Sequence, residues 1–186
     1  CIIDDEACRE ASRQEIIRRY YTAVDGIADG SRSETEAYKI ELLMKQENIV
    51  AADRTTVSPA LVRAEATGAP AAAIELSDGT VITGKTGPLL GAASSALLNA
   101  LKKLAGIDQE IDLVSARAIA PIQTLKTNYL GSKNPRLHTD EILIALSSSV
   151  SENEYAAKAM EQIPNLKGCD IHSTVILSSV DADTLK

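Results

Sequence analysis

A chain of 186 residues that is 45% hydrophobic and 24% charged, with no Trp and no Phe, can bury an aliphatic core of Ala, Leu, Ile and Val without staples. That composition excludes disorder and collagen-like repeats, and a net charge of -7 with only five Tyr excludes a nucleic-acid binder that stacks bases. No run approaches the roughly 20 apolar residues of a membrane span and no signal pattern opens the chain, so the expected setting is the cytoplasm, with no membrane and no nucleic acid as partner.

Cys1, Cys8 and Cys169 match neither a zinc ribbon nor a redox pair, and read as reduced, mostly buried thiols. A first residue of Cys rather than Met reads as part of a longer protein. Residues 1–56 carry 12 acids and 8 bases, a denser mixture than the 14 acids and 11 bases of residues 57–186, and dense mixed charge at helical spacing predicts exposed helices.

From Asp4 to about Val24, apolar residues at Cys8, Ala11, Ile16, Ile17, Tyr20, Tyr21 and Val24 follow the helical period, with Glu15 placed to pair with Arg18 or Arg19. Gly26 to Arg32 breaks that helix, and Ser33 with Glu36 forms a capping box for a second one carrying Ala37, Ile40, Leu43 and Met44 on one face. The prediction is a helical hairpin, offering a surface for a homo-oligomer. Ser58-Pro59 starts a short helix and Gly68 ends it. Ala72 to Leu76 and Thr80 to Thr83 form an antiparallel hairpin around a two-residue Asp78-Gly79 turn, which places Glu75 on the same sheet face as Ile82. Leu90 to Ala105, apolar nearly all round and stopped by Gly106, predicts a buried helix.

Beyond it, Ile111 to Val114 and Ala118 to Ile122 read as short strands, and Tyr129 to Pro135 as a loop. Thr139 caps a helix running to Ser147, Ser151 with Glu154 caps another to about Gln162, and Ile171 to Leu177 reads as a strand. This order predicts an α/β fold: a helical subdomain over 1–56, then a layered α/β subdomain with a mixed sheet over 57–186.

Gly79 to Thr86, GTVITGKT, has the letters of a phosphate-binding loop, whose glycines let backbone N–H groups surround a phosphate while Lys and Thr supply charge and a metal contact. The run of β-branched residues and the Asp78-Gly79 turn favour instead a strand leading into a loop before the Leu90 helix. A different anion site suits the sequence better. Between Asp112 and Asp140 lie Arg117, Lys126, Lys133 and Arg136 without one acid, and helix starts offer free N–H groups. Lys85, Thr86, Arg136 and Ser173 are therefore candidates to bind an anionic small molecule.

The two histidines, His138 beside Thr139 and Asp140, and His172 beside Asp170 and Ser173, each sit next to a carboxylate and a hydroxyl at an element boundary. His138, Asp140 and His172 are the candidate acid/base residues. The spacing is too nonspecific to predict a metal site, and no cofactor is named by the residues.

The stretches CIIDDEACREASRQEIIRRYY, KIELLMKQ, PAAAIELSDGTVITGKT, LLGAASSALLNALKKLAGI, PIQTLKTNYLGSKNPRLHTDEILIALS and HSTVILSSVD closely resemble the C-terminal part of a bacterial family called domain of unknown function 1846. The resemblance implies a larger cytoplasmic parent whose upstream half is a partner of this segment. It also implies a helical subdomain followed by an α/β subdomain of topology similar to cytidine deaminases. The deaminase zinc signature is absent, because neither His begins a His-x-Glu and no Cys pair follows. Two functions are thus expected in competition: binding of an anionic or nucleotide-like small molecule, with hydrolytic or phosphoryl-transfer chemistry, or a non-catalytic structural and oligomerisation module.

Overall fold

The computed structural model describes residues 4–28 and 30–185, in two compact units that meet in sequence at Val57 and Ser58.

In the first unit, α1 (Asp5–Ala28) and α2 (Glu34–Gln46) form a helical hairpin. The Asp4 carboxylate caps α1 by accepting the Glu6 and Ala7 N–H groups at 3.1 and 2.9 Å. Ile17, Met44 and Ile49 form the buried centre, flanked by Ile16, Tyr20, Tyr21 and Ile40. Glu15 takes both arginines, Arg18 at 2.6 Å and Arg19 at 2.7 Å, and their hydrogen bonds hold its carboxyl at a pKa of about 2. α1 ends at Ala28, within the expected break of Gly26 to Arg32, and the Arg32 side chain packs on Gly26, its Cγ and Cδ 2.6 Å from where a Cβ would be. The Ser33 capping box does not form, because the Glu36 carboxylate is held by Arg32 instead. Of the expected break, Asp29 lies outside the described residues, as does Cys1. Cys8 is exposed and Cys169 half-buried, so neither is the buried thiol expected, and both are free.

The second unit opens with α3 (Val57–Thr67), which Gly68 terminates at a positive φ of 62°. Its sheet has three strands, β1 (Ala71–Glu75), β2 (Val81–Lys85) and β3 (Asp170–Ser173), in the order β2-β1-β3 and antiparallel throughout. The expected mixed sheet is thereby corrected, because its additional strands are absent. Residues 111–114 form no regular element and bury Leu113 and Val114 in the core. Residues 118–122 lie inside α5 (Ala116–Thr124), whose start is capped by Ser115 Oγ accepting the Ala118 N–H at 3.2 Å. Ala118, Ile119 and Ile122 are spaced for a helix, and all three pack into one core. β3 ends at Ser173, four residues short of the strand expected, and Thr174 closes the pairing by donating its N–H to Ala71.

The β1–β2 turn also differs. Gly79 alone has a positive φ, 81°, and Leu76 pairs with Thr80, so three residues rather than two form the loop. A type I′ turn would need two positive φ values. The added residue shifts the register by one, pairing Ile74 with Ile82 and Glu75 with Val81.

α4 (Ala92–Leu104) crosses the sheet, and its position explains its composition. One face lays Ala92, Ala96 and Ala100 on Ala72, Ile74 and Leu76. The other sends Leu97, Leu98 and Leu101 into a core shared with α5, α6 (Thr139–Ser149) and α7 (Glu154–Met160). A helix covered on two sides must be apolar on two sides. The cap of α7 is Asn153, not Ser151, its Oδ1 accepting the Tyr155 N–H at 3.0 Å. Ser178 caps the last helix, α8 (Ser179–Thr184). Among the described residues, no helix is long and apolar enough to cross a membrane.

Candidate functional site

α4 and α6 begin side by side. Leu90 and Leu137 form a parallel bridge, the Leu137 N–H donates to the Leu89 carbonyl at 2.9 Å, and the Leu137 carbonyl accepts Ser94 Oγ at 2.9 Å. Leu137 is 1% exposed, so this strap is anchored in the core. The opening N–H groups of α4, on Ala92, Ala93 and Ser94, lie too early in the helix to find intrahelical acceptors, and they carry its positive dipole end. These three residues line a cleft of about 470 Å³.

The rest of the cleft comes from chain ends that the sheet and strap bring together: Thr86 after β2, Ser173 at the end of β3 with residues 175–178 beyond it, and Lys133, Asn134 and residues 136–138 before α6. Arg136 is oriented by its Nε, which donates to the Gly87 carbonyl at 2.7 Å, while its backbone N–H donates to Asn134 Oδ1 at 3.1 Å. Its two terminal nitrogens have no hydrogen-bond partner among the described residues, and a planar fork of this kind suits a carboxylate or phosphate.

His138 is the N-cap residue of α6, and Thr139, the expected cap, is its first helical residue. The Asp181 carboxylate sits against both. Its Oδ1 accepts the Thr139 N–H at 2.8 Å and the Thr139 hydroxyl at 3.0 Å, while Oδ2 lies 2.9 Å from His138 Nδ1 and accepts Ser178 Oγ at 2.8 Å. Burial pushes the Asp181 pKa up, but hydrogen bonds from His138, Thr139 and Ser178 outweigh it, and the net value falls below the ordinary 3.8. An ionised carboxylate only accepts, so His138 Nδ1 carries a hydrogen, and in the neutral imidazole the lone pair is then on Nε2. Nε2 has no protein partner among the described residues. A buried carboxylate that sets the tautomer of a half-buried imidazole on a cleft wall is the arrangement that general acid/base chemistry uses.

Of the residues singled out in the sequence, Thr86, Arg136, His138 and Ser173 line this cleft, and Lys85, Asp140 and His172 do not. Strand alternation accounts for two of the three. Lys85 and His172 each adjoin a lining residue, Thr86 and Ser173, and neighbours in an extended chain point to opposite sides. Asp140 instead accepts the Glu141 N–H at 2.7 Å. Sequence reasoning missed Asp181 and Ser178, although Ser178-x-x-Asp181 has the spacing of a helix cap.

The phosphate-loop letters of Gly79 to Thr86 describe a hairpin. Gly79 is in its turn, and Gly84 sits in β2 under α4, where a Cβ would fall 2.1 Å from the Ala96 nitrogen. The letters therefore mark a turn and a packing contact rather than a phosphate cradle. No group of three or more His, Cys, Asp or Glu side chains able to hold a metal occurs among the described residues.

Residues 52–186 match the family model described as domain of unknown function DUF1846, C-terminal, and residues 1–48 match its N-terminal counterpart. A UPF0371 protein of Corynebacterium aurimucosum is 55% identical over 97% of this chain and 36% of its own length. UPF0371 proteins of Corynebacterium glutamicum and Streptococcus pneumoniae are 52% and 50% identical, over 97% and 100% of this chain and 36% and 37% of their own. The chain thus spans little more than a third of the curated relatives it matches.

Proposed function

The chain belongs to the domain of unknown function DUF1846 family, and on that premise we propose that its α/β unit binds an anionic, nucleotide-like small molecule in the cytoplasm and acts on it through His138. The observation that carries this reading is convergence: the α4 N-terminus, Arg136 and the His138–Asp181 pair all border one cleft. A phosphate seated on the Ala92–Ser94 N–H groups would meet the Arg136 guanidinium, and both favour negative charge. His138 Nε2 takes a proton from a water that attacks phosphorus, and returns it to the departing oxygen as the P–O bond breaks. The products are a free hydroxyl and phosphate; transfer to an acceptor hydroxyl follows the same proton path. Thr86 and Ser173 supply hydroxyls to the rest of the ligand.

The topology likeness to cytidine deaminases is supported by the β1–β2 hairpin with α4 packed across it, and the reading extends it to fold rather than to chemistry. A second reading rests on the first unit. Tyr38, Leu42 and Leu43 of α2 are 57%, 40% and 40% exposed, and favour the hairpin as an oligomer surface, which light scattering of the purified protein tests.

The main reading is tested by thermal shift with inorganic phosphate, nucleoside phosphates and sugar phosphates, on this chain and on a full-length UPF0371 relative. The expected result is a raised melting temperature with at least one phosphate, lost in Arg136→Ala. His138→Ala should retain the shift and abolish phosphate release. A flat screen on both proteins overturns the reading.

A further inference from the structure

Behind the cleft wall lies a charged pair that the acid/base scheme does not use. Lys126 Nζ and Glu141 Oε2 are 2.7 Å apart, with side chains only 7% and 22% exposed, and neither residue lines the cleft. Each partner makes one further bond, and the two bonds fall on either side of Leu137. Lys126 Nζ donates to the Arg136 carbonyl at 2.6 Å, and Glu141 Oε2 accepts the His138 N–H at 2.8 Å. Lys126 reaches this position from a π-helical turn, Leu125–Tyr129, that follows directly on α5. Such turns are rare and concentrate at functional sites.

Desolvation makes a buried ion pair a poor source of stability, so stability alone does not account for one placed here. What the pair does geometrically is specific. Leu137 is fixed by the core, and the pair fixes the peptide groups before and after it, which sets the directions in which Arg136 and His138 leave the chain. We infer that Lys126 and Glu141 are positioning residues that aim the anion-binding guanidinium and the acid/base imidazole into the same cleft. This inference rests on the reading of the cleft given above.

The test compares the wild-type chain with the double variant Lys126→Met/Glu141→Gln, using inorganic phosphate as probe. The introduced glutamine still accepts the His138 N–H and the introduced methionine fills the volume of the lysine stem, while the hold on the Arg136 carbonyl is gone. The expected result is a melting temperature close to wild type and phosphate affinity about tenfold weaker. A purely structural pair would lower the melting temperature and leave the affinity of the folded protein unchanged. Should the double variant not fold, Lys126→Arg keeps the charge but displaces the donor from the Arg136 carbonyl, and it should weaken phosphate in the same way. Wild-type binding with equal binding by the variants overturns the positioning role alone. A wild type that responds neither to inorganic phosphate nor to any nucleoside or sugar phosphate of the screen overturns the cleft reading, and the positioning role with it.

Discussion

Four hydrogen bonds end on the carboxylate of Asp181, from three residues that the sequence places about 40 positions away or within its own helix cap. Asp181→Asn keeps the shape but replaces one acceptor oxygen with a donor, so with the other oxygen on Thr139 the His138 and Ser178 bonds survive only if those two groups change from donor to acceptor. The expected cost is about 2–3 kcal/mol, measured by urea denaturation. The pH dependence has a defined sign. Because the folded-state pKa of Asp181 is depressed, its contribution is complete above the unfolded value of about 4 and is lost as pH falls through the lower folded value. Wild type should therefore lose stability below about pH 4 more steeply than Asp181→Asn. Glu15, held at about 2, adds to the same acid arm, but it is exposed, and added salt should erase its share. At this scale the site was half legible. His138 and Arg136 stood out because their chemistry is visible in one letter each, whereas Asp181 is one of many acids until the fold carries it to His138.

The elements read most faithfully were those whose pattern is purely local. α1, α2 and α4 follow from the spacing of apolar residues, and the β1–β2 hairpin from Asp-Gly between a short apolar run and a β-branched one. Failures came where a distant partner decides. Residues 118–122 are as apolar as a strand, but a cap at Ser115 and a waiting core make them helix. The two glycines of the phosphate-loop pattern provide a direct check on what that pattern means here. Gly84→Ala drives a Cβ into the backbone of α4 and should cost about 3 kcal/mol or more, since overpacking against backbone cannot relax by a side-chain rotation. Gly79→Ala meets open space and costs only the strain of a positive φ, about 1–2 kcal/mol. Thermal melts of both variants should rank them in that order, with phosphate affinity unchanged in Gly79→Ala. Affinity lost at Gly79 with stability intact would restore the loop as a phosphate site.

For the whole molecule, the division at Val57 and Ser58 coincides with a change in composition that the sequence already displays: charge-dense amphipathic helices, then an aliphatic layered unit. The second unit has its own cores and contains every residue placed on the cleft. A fragment of residues 52–186, the stretch matched by the C-terminal family model, should therefore unfold cooperatively and bind phosphate as the 186-residue chain does. Calorimetry and the thermal-shift screen check both halves of that expectation. Loss of the phosphate response in a folded fragment would assign part of the site to the first unit.

Alanine dominates the seam between β1 and α4: Ala72 in the strand and Ala96 and Ala100 in the helix are fully buried, with Ala92, Ile74 and Leu76 completing the contact. Alanine loses no rotamer freedom on burial, so this layer is ordered at low entropic cost. It also inverts the usual vulnerability of a core. At its alanine positions truncation, the common route by which chance substitution damages a protein, has almost nothing to remove, while every enlargement has nowhere to go. Tolerance along this seam should therefore run opposite to tolerance in the leucine core on the other side of α4, where shortening a side chain opens a void and swapping one large aliphatic for another is absorbed.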